Sequence, residues 1–156
     1  MKKEIKIVDY RPEHRLVFKE MNQRWIEKYF RMEASDHKAL DKPQQSVLDG
    51  GGAILVAYCD VEIAGICALV KLKDMPYDYE LSKMAVDPKF QGLGIGYLLA
   101  KAIENRAKKL GGKTLYIESN TILEPAMKLY RKLGFKEIDG GGSPYERCNI
   151  YFLKSL

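Results

Sequence analysis

Apolar and polar positions alternate along residues 4–9, where Ile5 and Ile7 flank Lys6. That is the period of a strand with one buried face, and it is expected as β1. From Pro12 the period lengthens to that of a helix, α1, with Leu16, Val17, Met21, Trp25, Ile26 and Tyr29 as apolar positions. The helix runs on less regularly through Phe30-Arg31-Met32, and Glu33-Ala34-Ser35-Asp36-His37 breaks the pattern. A second short helix, α2, is expected to begin near Pro43, since proline suits a first turn, and Gly50-Gly51-Gly52 stops it. Residues 53–58 and 62–72 are two β-branched, apolar runs, β2 and β3, joined by a tight Cys59-Asp60-Val61 turn. Beyond Asp74-Met75-Pro76, residues 79–86 form a further extended run, β4.

The helical period returns as α3 from Ile95, with Leu98, Leu99, Ala102, Ile103 and Leu110 on the same face, and Gly111-Gly112 ends it. Residues 113–119 read as β5. Glu124-Pro125 opens α4, which carries Ala126, Leu129, Tyr130 and Leu133 on one face. Leu133-Gly134-Phe135 leads into β6, Gly140-Gly141-Gly142-Ser143-Pro144 is a loop, and residues 146–153 are β7. No repeat, linker or low-complexity segment interrupts the series. The chain is therefore expected to be a single α/β (α+β type) domain over residues 1–156. Its mixed, mostly antiparallel sheet is flanked by helices in the order β1-α1-α2-β2-β3-β4-α3-β5-α4-β6-β7. Only β4-α3-β5 is a right-handed parallel crossover. Cys148, Ile150, Tyr151 and Phe152 make β7 unusually apolar for an edge. An uncovered edge of that kind pairs with another copy, so a homodimer is expected.

One hundred and fifty-six residues are enough for one real core, and the charged and apolar fractions are those of a folded globule. The net charge of +5 is spread along the chain without a basic run of five, so nucleic acid is not expected as a partner. No apolar run reaches the length of a membrane span, and the N-terminus leads into a strand rather than a signal-peptide core. A cytoplasmic protein without a membrane partner is expected. Cys59, Cys67 and Cys148 are odd in number, lack C-x-x-C spacing and lie in apolar runs, where they read as small buried hydrophobes. His14 and His37 both fall in charged, exposed-looking stretches, so no metal site and no Ser-His-Asp triad is expected.

The chemistry concentrates in Glu80 to Lys101, ELSKMAVDPKFQGLGIGYLLAK. A strand turns at Asp87-Pro88, passes through Gly92, Gly94 and Gly96, and becomes a helix. Backbone without side chains at a helix start lets a ligand reach the free N–H groups of the first turn, and the helix dipole favours an anion there. A phosphate is the simplest such ligand. The dinucleotide fingerprint G-x-G-x-x-G fails because Tyr97 stands at its third glycine, and a Walker loop fails because Gly96 is followed by Tyr97-Leu98.

What remains is Gln91-x-x-Gly94-x-Gly96 with Val86-Asp87-Pro88 before it and Leu98-Leu99 after it. That pattern resembles the acyl-CoA-binding motif of the GCN5-related N-acetyltransferases, the GNAT family. A second region, Asn120 followed by Ala126-Met127-Lys128-Leu129-Tyr130-Arg131-Lys132-Leu133-Gly134-Phe135, is similar to the family's A-x-x-L-Y-x-x-x-G-F signature. The resemblance covers nearly the whole chain and implies the element order above. It also implies that β4 and β5 splay apart to admit the pantetheine arm of acetyl-CoA, the expected cosubstrate.

The amides of Gln91, Gly92, Leu93, Gly94, Ile95, Gly96 and Tyr97 would hold the pyrophosphate. The resemblance adds the β4 edge at Met84, Ala85 and Val86, and Asn120, for pantetheine. A β4 amide near Met84 or Ala85 could also donate to the thioester oxygen. Tyr130 is the candidate general acid at the departing sulfur, against the alternative of a packed core tyrosine. Glu80 is the candidate base, since a carboxylate inside an apolar strand is an odd guest whose pKa burial would raise. Its alternatives are a strand-end glutamate paired with Lys83, or a water chain in the base's place, with Tyr116 and Glu118 as weaker candidates. The resemblance implies that Trp25, Tyr29, Phe30, Glu33 and Asp36 form one wall of the acceptor pocket and Tyr145 and Arg147 the other; the alternative is that these aromatics pack α1 on the sheet. Aromatics with carboxylates suit a cationic amine, whereas Arg147 suits an acceptor bearing a carboxylate. The expected function is transfer of acetyl from acetyl-CoA to a primary amine of a metabolite, peptide or protein, without a metal. The alternative is a non-catalytic acyl-CoA-binding or regulatory module on the same fold.

Overall fold

The computed structural model of the chain describes residues 3–156. Seven strands form one sheet in the order β1-β2-β3-β4-β5-β7-β6, with β1 at Ile5–Asp9, β2 at Ala53–Cys59, β3 at Glu62–Lys71, β4 at Tyr79–Val86, β5 at Thr114–Ser119, β6 at Lys136–Ile138 and β7 at Ile150–Ser155. Every pairing is antiparallel except β4 with β5.

The period-2 pattern of the central strands divides the core in two. Leu55, Cys67, Leu69, Ile117 and Phe152 face α3 (Ile95–Lys109) and α4 (Glu124–Lys132). Ile54, Val56, Ile66, Ala68 and Ala85 face the other way, onto Phe18, Met21 and Ile26 of α1 (Arg15–Tyr29) and Leu40 of α2 (Ala34–Asp41). Both faces of the middle strands are covered, which is why β2 and β3 read as continuous apolar runs.

Four expectations need correction. First, α2 begins at Ala34, where the pattern appeared to break, because Glu33 and Asp36 make a reciprocal capping box at its start. Only one π turn, Gln44–Leu48, follows Pro43. Second, the last strand starts at Ile150 rather than 146, and it is not an edge. It lies between β5 and β6, so the reason given for a homodimer falls away. Third, His14 is 3% exposed, accepts the Arg11 N–H at Nδ1, and places Nε2 3.0 Å from the Tyr58 hydroxyl. Fourth, Leu98 and Leu110 point outward from α3, while Glu104 is buried on it. Its charge is matched by Lys154 of β7 and by Lys101 and Lys108 of its own helix.

No helix among the described residues is long and apolar enough to cross a membrane.

Candidate acetyl-transfer site

The site begins where two strands stop pairing. β4 and β5 pair only at Tyr79–Leu115 and Glu80–Tyr116. Beyond that rung β5 stays with β7 and β4 stays with β3, so their inner edges part around a cavity of about 550 Å³.

An irregularity in β4 shapes one side of the gap. Ser82 pairs with Ala68 but Ala85 with Ile66, so β4 carries one extra residue there. Lys83, within this bulge, has φ +52°, a left-handed conformation that costs a non-glycine residue roughly 1–2 kcal/mol. Its ammonium is then delivered to Asp36 Oδ1 at 2.7 Å and the Tyr145 hydroxyl at 3.0 Å. These contacts offset the backbone cost. Lys83 therefore pairs with Asp36 and not with Glu80.

At the other end of the gap, Asp87 caps a short 3-10 turn by accepting the Lys89 N–H, and the chain enters the glycine turn. Gly94 caps α3 with φ +76° and no side-chain cap, so the N–H groups of Ile95, Gly96 and Tyr97 precede the helix's own hydrogen bonds. Gly96 is different. Its φ is ordinary, and a Cβ added there would meet Leu129 at 3.7 Å and the Met84 sulfur at 3.9 Å, both normal contacts. Neither backbone conformation nor packing requires glycine at 96. The space it leaves opens on the cavity beside uncapped amides, which fits the close approach of a pyrophosphate.

Most of the residues singled out from the sequence do meet at this cavity. Gln91, Gly92, Gly94, Ile95 and Gly96 line its end at the glycine turn, Met84 and Val86 its β4 side, and Asn120 and Tyr130 its opposite wall. Trp25, Tyr29, Phe30, Tyr145 and Arg147 line the other end, where Trp25, Tyr29 and Phe30 cluster at the C-terminus of α1 with centroids 5.4–6.5 Å apart. Other candidates lie off it. The Ala85 side chain packs into the core under α1, Leu93 is exposed, and Tyr97 lies against Lys132. Glu33 stands behind Arg147. Asn120 lines the cavity, but its Nδ2 donates to the Arg147 carbonyl and its Oδ1 accepts the Ile122 N–H. Its amide therefore holds the local chain first.

Burial pushes Glu80 up to about 8, with Glu118 adding to the rise and Lys83 opposing it. Burial also raises the Tyr130 phenol, with a smaller contribution from Cys67, and its ring packs edge-on against Phe135 and Phe152. Asp36 goes the other way. Its burial would favour the neutral acid, but hydrogen bonds from Arg147 and Lys83 outweigh that and hold it at about 2.

Glu118 received little weight from the sequence, yet it faces the cavity and accepts hydrogen bonds from the hydroxyls of Tyr116 at 2.8 Å and Ser143 at 2.6 Å. Lys83 was expected only as a possible partner of Glu80, not as the partner of Asp36. A lysine in mid-strand was its only signal, and the left-handed backbone that aims it leaves no mark in the sequence. Cys148, expected in a buried strand, precedes β7 and lines the cavity half-buried.

The family model described as "Acetyltransferase (GNAT) family" matches residues 18–135. The chain belongs to the GNAT family. It is 31% identical over 120 residues to the uncharacterized N-acetyltransferase YjgM of Escherichia coli, covering 75% of this chain and 72% of that one. Among solved structures, a GNAT-family acetyltransferase of Staphylococcus aureus Mu50 superposes with a TM-score of 0.86 at 22% identity, over 98% of this chain and 99% of the other. The putative acetyltransferase yncA of Salmonella typhimurium, solved with its cofactor acetyl-CoA, gives a TM-score of 0.75 at 16% identity, over 97% and 94% of the two chains. This GNAT chain is accordingly an acetyl-CoA-dependent acyltransferase.

Proposed function

We propose that the protein transfers the acetyl group of acetyl-CoA to a primary amine by direct attack, with Glu80 as the base and Tyr130 as the proton donor to sulfur. One observation carries this reading. A carboxylate poised at about 8, a buried phenol and an uncapped helix start open on one cavity at the gap between β4 and β5. The cosubstrate would lay its pyrophosphate on the amides after Gly92 and its pantetheine arm along the free edge of β4. Asn120 would contribute only what its amide has left after binding Arg147 and Ile122.

The amine arrives as an ammonium ion and gives one proton to the Glu80 carboxylate. Its nitrogen then bonds to the thioester carbon, whose oxygen takes up negative charge near the β4 amides. Glu80 passes its proton to water, the nitrogen gives its second proton to water, and the C–S bond breaks as the thiolate takes the Tyr130 proton, which solvent then replaces. The products are an amide and the CoA thiol, with one proton released to water. Because burial raises the Tyr130 phenol, it remains an intact O–H donor throughout the neutral range. Its contribution is a hydrogen bond that strengthens as charge collects on sulfur, completed by proton transfer and return from solvent.

Calorimetric titration with acetyl-CoA, followed by thiol release across a panel of amines, tests the reading. Binding with thiol release dependent on amine is expected. Failure to bind acetyl-CoA, or binding without transfer to any amine, overturns it.

A further inference from the structure

We infer that the acceptor presents its amine without a neighbouring carboxylate, and that Asp36 sets this preference by neutralising both cations of the pocket wall. The inference deepens the acetyl-transfer reading and rests on it. It concerns the choice that Arg147 left open, between a cationic acceptor and one bearing a carboxylate.

Arg147 is a poor receptor for an incoming anion, because its fork is already filled. Both terminal nitrogens reach Asp36 at 2.6 Å, and Nη1 also reaches Glu33 at 3.2 Å. Lys83 reaches the same Asp36 at 2.7 Å. The Asp36 side chain has no exposure, and those of Lys83, Glu33 and Arg147 have 7%, 14% and 15%. The rings of Tyr145 and Phe30 cover the guanidinium at 4.6 and 5.9 Å, and Lys83 sits 4.3 Å from the centre of Tyr145. Two cations and two carboxylates thus cancel inside the wall, in bidentate geometry that a substrate carboxylate could enter only by displacing Asp36.

The acidic side chains facing the cavity are Glu80 of β4 and Glu118 of β5, and Lys83 is turned away to Asp36. Around Glu118 stand the hydroxyls of Tyr116 and Ser143, with Cys148 of the loop before β7 and Tyr151 of β7 nearby. Each Glu118 oxygen accepts one hydroxyl and keeps capacity for an ammonium N–H. Trp25, Tyr29 and Phe30 add ring faces, which also favour a cation. An α-amino acid would bring its carboxylate between Glu118 and a wall with no unpaired positive charge. Like charges placed together in an interface are strongly disfavoured.

The test uses matched pairs that differ by one carboxylate beside the amine: phenethylamine with phenylalanine, and tyramine with tyrosine. A tetra-alanine amide with a free N-terminus distinguishes peptide from small-molecule amines. Expected is a kcat/KM for each amine at least about tenfold above that of its amino acid. In Glu33→Gln, which unpairs one Arg147 contact and leaves the Asp36 hub in place, that ratio should fall severalfold while KM for acetyl-CoA stays unchanged. Asp36→Asn, where it folds, should shrink the ratio further. Equal or better use of the amino acids, or an unchanged ratio in Glu33→Gln, overturns the inference. If no amine is acetylated, the acetyl-transfer reading fails by itself. Calorimetry of the same pairs on CoA-loaded protein then decides the charge preference: tighter binding of the amines supports it, and equal affinities or no binding of any pair overturn it.

Discussion

Glu80 of β4 stands opposite Tyr116 of β5 at the last rung on which these parallel strands pair, and the cavity starts there. The carboxylate is thus fixed by sheet hydrogen bonds on one side and faces the gap on the other. Burial raises its pKa, the nearby Glu118 adds to the rise, and Lys83 opposes it.

The first prediction is kinetic. If Glu80 must be ionised to take the amine's proton, kcat/KM should climb with pH through a midpoint near 8 and then level. Glu80→Gln should lower the rate by ~10²–10⁴ and remove that limb. Wild-type and variant profiles measured on one amine separate the enzyme's ionisation from the substrate's. An unchanged limb in the variant would assign the base to water or to the amine itself.

The same residue makes a stability prediction. The folded protein holds the Glu80 proton up to about 8, whereas an unfolded glutamate releases it near 4.5. The stabilising share is complete below the unfolded value and is lost as pH rises through the folded one. Glu80→Gln should therefore match the wild type near pH 5 and exceed it at pH 9, by at most a few kcal/mol. Urea unfolding at the two pH values checks this, and equal stability of the two proteins at pH 9 would contradict the burial argument.

Tyr130 serves packing and cavity at once: it sits in the core cluster with rings on two sides and lines the gap. Tyr130→Phe keeps the ring and removes only the hydroxyl. If that hydroxyl meets the sulfur, turnover should drop by ~10²–10⁴ with little change in acetyl-CoA affinity. A turnover within twofold of wild type would leave it as a core residue.

Much of this architecture was legible because periodicity and turn residues agree locally. The alternating and continuous runs located every strand within a few residues, and the glycine turn and A-x-x-L-Y-x-x-x-G-F both fall on residues that line the cavity. What escaped depends on partners distant in the chain. Asp36 belongs to a polar stretch that reads as a break, yet it begins a helix and is buried because Lys83 and Arg147 arrive from 47 and 111 residues away. β7 reads as an edge because no local signal shows that the three-residue β6 covers it. Glu104 breaks the apolar face of α3, and only Lys154 on β7 explains its burial.

The glycine turn offers two variants that separate fold from ligand. Gly94 has φ +76°, so any side chain there strains the backbone by roughly 1–2 kcal/mol. Gly96 has no such constraint and has room for a Cβ. Gly96→Asp should therefore leave thermal stability near wild type, since a carboxylate in the first turn suits the helix dipole. It should also abolish acetyl-CoA binding by placing charge against the phosphates. Gly94→Asp should lose both. Calorimetry beside thermal unfolding distinguishes them, and retained affinity in Gly96→Asp would move the pyrophosphate elsewhere.

The last prediction concerns the ion pair that ties α3 to β7. Glu104 is 1% exposed and bonds to Lys154, whose ammonium also donates to the Leu133 carbonyl just past α4. Burial alone would raise the Glu104 pKa, but Lys154 and Lys101 outweigh it and bring the acid below its ordinary value. This stability is present above the unfolded pKa of about 4.5 and is lost as pH falls through the lower folded one. Glu104→Leu should cost ~3–5 kcal/mol, because it strands a largely buried ammonium rather than because the pair itself is strong. Replacing both partners, Glu104→Leu with Lys154→Met, should recover most of that loss. Neither residue lines the cavity, so turnover of the double variant should stay near wild type wherever it remains folded. Denaturant unfolding of the two single variants and the double variant supplies the cycle. A double variant as unstable as the sum of its parents would show that Glu104 stabilises by packing and not by charge.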